Sequence, residues 1–359
     1  MTSDTKLAEN TSSKSTRRKA KDQSGPLVRY NVLRHPSSVL VKQVEVNPDC
    51  SLSKKRGGQI PKGSTISTEL KPLYKYIRDA FSGGTSQFIH PANAEIGTGI
   101  PISPKEYVVE GGVDRTASTL TYVPGPATAT FDHDPSDYAK NIIASPEELV
   151  SILAAEFPDI FINAAWGGYD SSGSFIYKHD GTEISGRRGF HVVFAIEDAT
   201  QIKVFFERLF KRLWLLGYGY IHISKDGKAL PRTIFDPKVI EPQQPLFAGG
   251  AHCIGCEQRR PDPTWHDGGY LITSAMAELS EAEEREYKRI VESAKRVAQS
   301  ECDRIRKEYL NKSSTELAAK LSVSTAQAKK IVESRLGGTL SGQDLLQFDD
   351  HGDVSVAEV

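Results

Sequence analysis

Between residues 127 and 236 the hydrophobic positions switch repeatedly between a two-residue and a 3.6-residue period, the mark of strands and helices in alternation. "ATATFDHD" (127–134) reads as a strand. "SPEELVSILAAEF" follows as a helix, with Ser145 suited to the N-cap, Pro146 to the first turn and Glu148 to a capping box. Leu149, Ile152, Leu153 and Phe157 form its apolar stripe. "IFINAAW" (160–166) and "GFHVVFAI" (189–196) read as two further strands. "DATQIKVFFERLFKRLWLLG" is a second helix, capped at Asp198, striped by Ile202, Phe205, Phe206, Leu209 and Leu213, and stopped at Gly217. "GYIHIS" (219–224), the tight turn "KDGK" and "ALPRTIFD" (229–236) complete the pattern as a hairpin.

That order is β-α-β-β-α-β with one extra hairpin strand, which predicts an α+β protein built on a ferredoxin-like sheet. In that topology the third strand lies between the first two and antiparallel to both. The end of the first strand then sits beside the start of the third, and the last strand ends at the same edge. Asp132, Asp134, His191 and Asp236 are therefore expected to converge. Strand side chains alternate, so Asp132 and Asp134 share a face and His133 takes the other.

The flanks have other patterns. Residues 1–26 are basic and nearly free of large apolar residues, and are expected to be a disordered tail. Residues 27–120 mix short strand-like runs with one helix and read as an irregular α/β module on the flank of the core; 27–277 would form one domain with its core at 127–250. Residues 278–336 read as a helical domain that opens with a long, highly charged helix. Within it, 314–336 is either a helix-turn-helix or two short amphipathic helices. The strand-turn-strand pattern at 337–359 reads as a linker or the start of a further domain.

Composition narrows this little. With 45 Lys and Arg against 46 Asp and Glu the net charge is −1, which neither supports nor excludes a local basic groove for nucleic acid. The 4 cysteines, Cys50, Cys253, Cys256 and Cys302, are too sparse for a disulfide scaffold and fit a reducing compartment. No apolar run has the length of a membrane span, and no signal-peptide core opens the chain. A cytoplasmic protein without membrane partners is expected.

Three carboxylates around one small volume suit hard divalent cations, Mg²⁺ or Mn²⁺, which leave positions open for phosphate oxygens. Two such ions about 4 Å apart serve phosphoryl or nucleotidyl transfer. His191 stands in "SGRRGFHVVF", where imidazolium and the guanidiniums of Arg187 and Arg188 could meet a triphosphate and Gly189 permits close approach. Arg232, on the strand that delivers Asp236, either holds a phosphate or neutralises the acids. Ser171, Ser172 and Ser174 either contact phosphate or template or make a plain loop. "HCIGC" (252–256), with His252 and His266, is half a zinc site; without a second Cys pair, free thiols are the default reading.

Taken together, "FDHDP", "GRRGFHVVF" and "RTIFDPKV" resemble the three motifs of the archaeo-eukaryotic primase superfamily: a D-x-D metal motif, a histidine nucleotide motif and a hydrophobic-Asp motif on an RRM-like fold. Over roughly residues 30–275 the chain is similar to primase-polymerases of plasmids, phages and integrated mobile elements. The resemblance implies Asp132, Asp134 and Asp236 as metal ligands and His191 as the triphosphate contact. It implies (d)NTPs and single-stranded DNA as substrates, and a helicase domain or partner. Two positions depart from the pattern: Gly189 stands where a Ser is usual, and "EPQQPLF" carries no Arg. The rival readings are a metal-dependent nuclease using the same acids and a non-catalytic replication-initiation protein that only holds DNA.

Overall fold

A computed structural model describes residues 25–337, apart from 48, 50, 56–59, 85–86, 91–94, 105–107 and 140, and the backbones of 345–348 and 352–355. The expected basic tail and Cys50 lie outside the described residues. The fold is mixed α and β, built on a nine-stranded sheet. The strand Ala127–His133, which carries Asp132, lies near its middle. Beside it runs Phe190–Ile196, antiparallel both to it and to Trp166–Asp170. On the other side comes Leu27–Arg34, then Thr65–Pro72. The module at 27–120 therefore extends the same sheet instead of sitting on its flank.

Helices close both faces. Helix α1 (Leu73–Ser82) covers one with Leu73, Tyr76, Ile77 and Ala80, against Val28, Tyr30, Val193 and Ala195. Helices α2 (Pro146–Glu156), α3 (Pro158–Phe161) and α4 (Ile202–Leu215) cover the other, around Phe131, Phe161, Phe194, Phe205 and Phe206. Ser145 caps α2 by accepting the Glu148 N–H at 3.2 Å. Glu148 reaches back to the Ala144 N–H, one residue before the cap, so the box is displaced by one position. Asp198 caps a 3₁₀ turn at Ala199–Gln201 that leads into α4. Gly217, at φ +87°, ends α4 with the chain folded back on Trp214.

Three expectations need correction. The second strand is Trp166–Asp170, not 160–166. Pro158 starts a helical turn that takes up Ile160 and Phe161. The Gly167–Gly168 pair lies inside the strand, where helices press on it from both sides. A Cβ on Gly167 would stand 2.6 Å from Ile77, and one on Gly168 would stand 2.5 Å from Pro146. Second, the hairpin forms a separate two-stranded ribbon, Tyr220–Ile223 with Ala229–Arg232, off the main sheet. Its apolar face, Ile221 and Ile223, packs on Trp214 and on helix α5 (Glu281–Leu321), while Tyr220 and His222 face the other way. A strand apolar on one side only is poorly suited to a sheet covered on both.

The third correction concerns 314–336. Residues 314–321 are the last two turns of the 41-residue α5, not a separate helix. The chain turns at Ser322, in the left-handed region at φ 54°, into α6 (Thr325–Leu336). Leu317, Ala328 and Val332 join the two helices. The strand-turn-strand expected near the end is an antiparallel pair, 345–348 with 352–355. Among the described residues no helix is long and apolar enough to cross a membrane.

Candidate active site at the acidic sheet edge

Asp132 is the register partner of His191 across two adjacent strands, and His191 Nε2 stands 3.3 Å from Asp132 Oδ1. Asp134 follows just past the strand end. Asp236 arrives by a different route from the one its sequence position suggests. The ribbon stops at Arg232, and buried Thr233, Ile234 and Phe235 then run along the end of the Asp132 strand. Two hydrogen bonds hold them there: the Asp236 N–H donates to the Asp132 carbonyl at 2.8 Å, and His133 Nδ1 meets the Ile234 carbonyl at 2.8 Å. His133, pointing away from the acids, is thus a clamp for the segment that positions Asp236.

All four residues line one cavity of about 530 Å³, together with Lys42, Arg115, Thr130, Lys238 and the segment Gln244–Phe247. Burial lifts the Asp132 carboxyl from 3.8 to about 6; Lys42 opposes the rise and Asp236 adds to it. The Asp134 carboxyl is raised as well, by desolvation and by Asp132. Burial and the Lys42 ammonium push His191 down to about 3. Its imidazole is therefore neutral at pH 7, and the imidazolium expected from the sequence is corrected. Its Nε2 lies within ion-pair distance of Asp132, and its Nδ1 is buried with no hydrogen-bond partner. Tyr169 packs against the ring at 5.1 Å.

Among the described residues no three His, Cys, Asp or Glu side chains stand as a ready-made metal cluster. Asp132 is turned to His191, and Asp236 to Arg232 at 3.1 Å and the Lys238 amide at 2.9 Å.

The remaining candidates lie elsewhere. Arg187 is committed to Asp170, at 2.6 and 3.3 Å, and to the Ala144 carbonyl. Arg188 is exposed, bonds Ser185 Oγ, and sits near enough to Lys54 to depress that ammonium's pKa together with Lys42 and burial. Ser172 is wholly buried, with an unpartnered Oγ, and does not line the cavity. Ser174 braces the turn by accepting the Arg188 N–H and donating to the Gly189 carbonyl, with Ser171 alongside. Gly189 itself is required by Asp134, because a Cβ there would stand 2.6 Å from Asp134 Oδ1. Arg232 lies on the far side of the acids from His191, in a second groove.

Lys42 and Arg115 were not legible in the sequence. Neither makes an ion pair among the described residues, and both face the acids. Both come from the chain N-terminal to the Asp132 strand. Thr130 could have been found, since it is two positions before Asp132 on the same strand face.

The Cys-x-x-Cys segment, whose flanking strands pair into two different sheets, gathers nothing comparable among the described residues. Cys253 and Cys256 face each other, and burial and the neighbouring thiol push Cys253 up to about 12. His266 stacks on Trp166 at 6.1 Å. The 3 described cysteines are free.

No family model matches this chain, no curated protein matches it, and no solved structure matches it.

Proposed function

We propose that this chain is a metal-dependent nucleotidyltransferase of the primase-polymerase kind, adding (d)NTPs to an acceptor on a single-stranded DNA template. The observation that carries the reading is the composition of one cavity: three carboxylates, a buried histidine with an unpartnered nitrogen, and three cations, Lys42, Arg115 and Lys238, with no ion pair among the described residues. The segment from Ala127 to Leu215, with the His191 strand between two others, is what supports an RRM-like core. The donors fit a hard divalent cation in kind, since Asp132, Asp134 and Asp236 offer only oxygen. Bound there, Mg²⁺ or Mn²⁺ would activate the attacking hydroxyl and stabilise the leaving pyrophosphate.

The chain's own groups have definable tasks. Lys42 and Arg115 meet the negative charge of the triphosphate, with Lys54 and Arg188 at the rim. His191, with Nε2 3.3 Å from Asp132 Oδ1, stands beside the metal-binding acid and turns its free Nδ1 towards no protein group. The acceptor 3′-hydroxyl gives up its proton to solvent, its oxygen forms the new bond to the α-phosphorus, the α–β phosphoanhydride breaks, and pyrophosphate leaves.

The test is incorporation of labelled nucleotides on single-stranded DNA with Mg²⁺ or Mn²⁺. Template-directed products are expected, and Asp134→Asn or Asp236→Asn should remove them with the fold intact. Cutting of the DNA without incorporation would replace this reading with a nuclease. DNA binding with neither activity would replace it with a non-catalytic replication protein.

A further inference from the structure

Asp134 and Asp236 line two cavities at once. One is the 530 Å³ cavity with Lys42, Arg115 and His191; the other is a groove of about 130 Å³ formed by Ser136, Tyr220, His222, Arg232 and the segment 233–235. These two acids are the only residues the cavities share, so they form the wall between them.

We propose that the smaller groove receives the 3′-terminal nucleotide of the acceptor strand, with Tyr138, braced edge-on by His222, as its stacking platform. The inference rests on the nucleotidyl-transfer reading. In-line displacement places the attacking and leaving oxygens on opposite sides of the phosphorus. Carboxylates that serve both must face the donor on one side and the acceptor on the other, and Asp134 and Asp236 do face two ways.

The chemistry of the two cavities differs in the sense this requires. The larger has several cations, as a triphosphate needs, and a volume within the range of small-molecule sites, about 300–1,000 Å³. The smaller is below that range and has room only for part of a chain. Its one guanidinium, Arg232, is already paired with Asp236, and beside the two shared acids its other polar side chains are the hydroxyls of Ser136, Tyr220 and Thr233 and the His222 ring. That suits a sugar with a single phosphate. At its mouth Tyr138 is 38% exposed and packs edge-on against His222 at 5.6 Å. Ile142, on the same loop, is 86% exposed. An exposed aromatic beside a groove is a platform for a base, whatever its identity.

The groove wall is also held firmly. The ribbon that carries His222 and Arg232 is backed by α5 through Ile221, Ile223, Val291 and Cys302. Its turn at Gly227, φ +77°, lies so close to α5 that a Cβ would stand 2.5 Å from the Cys302 carbonyl.

The experiment compares Tyr138→Ala, His222→Ala and Lys42→Ala on a labelled primer annealed to a longer template. It measures KM for primer and for nucleotide, and primer–template affinity by fluorescence anisotropy. Loss of one base stack corresponds to roughly a tenfold change. Tyr138→Ala and His222→Ala should raise the primer KM and Kd by about that factor and leave nucleotide KM and affinity for circular single-stranded DNA unchanged. Lys42→Ala should do the reverse, raising nucleotide KM alone. Unchanged primer KM and Kd in Tyr138→Ala, whose exposed side chain leaves the fold intact, overturns the inference. So does equal loss of affinity for circular DNA. If the wild type incorporates no nucleotide, the transferase reading fails and anisotropy decides alone: a loss confined to DNA with a recessed 3′ end retains the groove as an end-binding site, and no loss removes it.

Discussion

The two faces of the strand Ala127–His133 are made of the same backbone and serve opposite ends. On one, Ala127, Ala129 and Phe131 are sealed under three helices, and Phe131 touches Phe161, Phe194, Phe206 and Phe235 at centroid distances of 4.8 to 6.1 Å. Even the polar member, His133, has its Nδ1 satisfied. On the other, Thr128 and Thr130 are buried with unpartnered hydroxyls, and Asp132 is held near a charge state it resists. The first face carries stability. The second gives stability up so that polar groups are ready for a ligand. The contrast locates the site more firmly than any single motif.

Three changes probe it, in order of expected size. Phe131→Ala removes the hub of the aromatic cluster and should lower unfolding free energy by about 3–5 kcal/mol. Urea denaturation measures it, and a loss comparable to that of an average surface substitution would mean the cluster is not the foundation of the fold. Next, Asp132→Asn should stabilise the metal-free protein near neutral pH. Below pH 3.8 the carboxyl is protonated in folded and unfolded chains alike and there is no difference. As pH rises towards 6 the unfolded chain releases this proton and the folded one retains it, so the wild type loses about 2–3 kcal/mol. The Asn variant avoids that loss; its advantage should vanish under acid conditions, grow as pH rises from 3.8 towards 6, be complete above about 6, and coincide with loss of nucleotide incorporation. Equal melting temperatures of the two proteins across that range would contradict the electrostatic account of the face.

The smallest effect is Thr128→Val. It keeps the shape and removes a buried hydroxyl that has no partner, so stability should rise by about 1 kcal/mol. Thr128 does not line the cavity, and nucleotide KM should not move. A fall in melting temperature would show that the hydroxyl is satisfied after all.

Much of the core could be read locally because helices and strands are signalled within a few residues. Ser145 and Asp198 announced their helices, the stripe Ile202–Leu213 is buried as its period requires, and the alternation of Asp132, His133 and Asp134 places the acids on one face. The misreading at 160–166 had a tertiary cause. Glycines are poor strand formers, and Gly167 and Gly168 are strand residues because Ile77 and Pro146 occupy the space a side chain would need.

By itself, then, the sequence determined most of the core's strands and helices and the gathering of the acids and His191 at one edge, since periodicity, caps and strand alternation are local properties. Tertiary structure alone decided that Leu27–Arg34 takes the sheet position beside the Asp132 strand while the hairpin leaves for α5. It also decided that Lys42 and Arg115 face the acids, that Arg187 and Ser172 do not, and that Asp134 and Asp236 stand between two cavities. Those outcomes depend on which distant surfaces compete to bury the same apolar face, and no short stretch of chain carries that information.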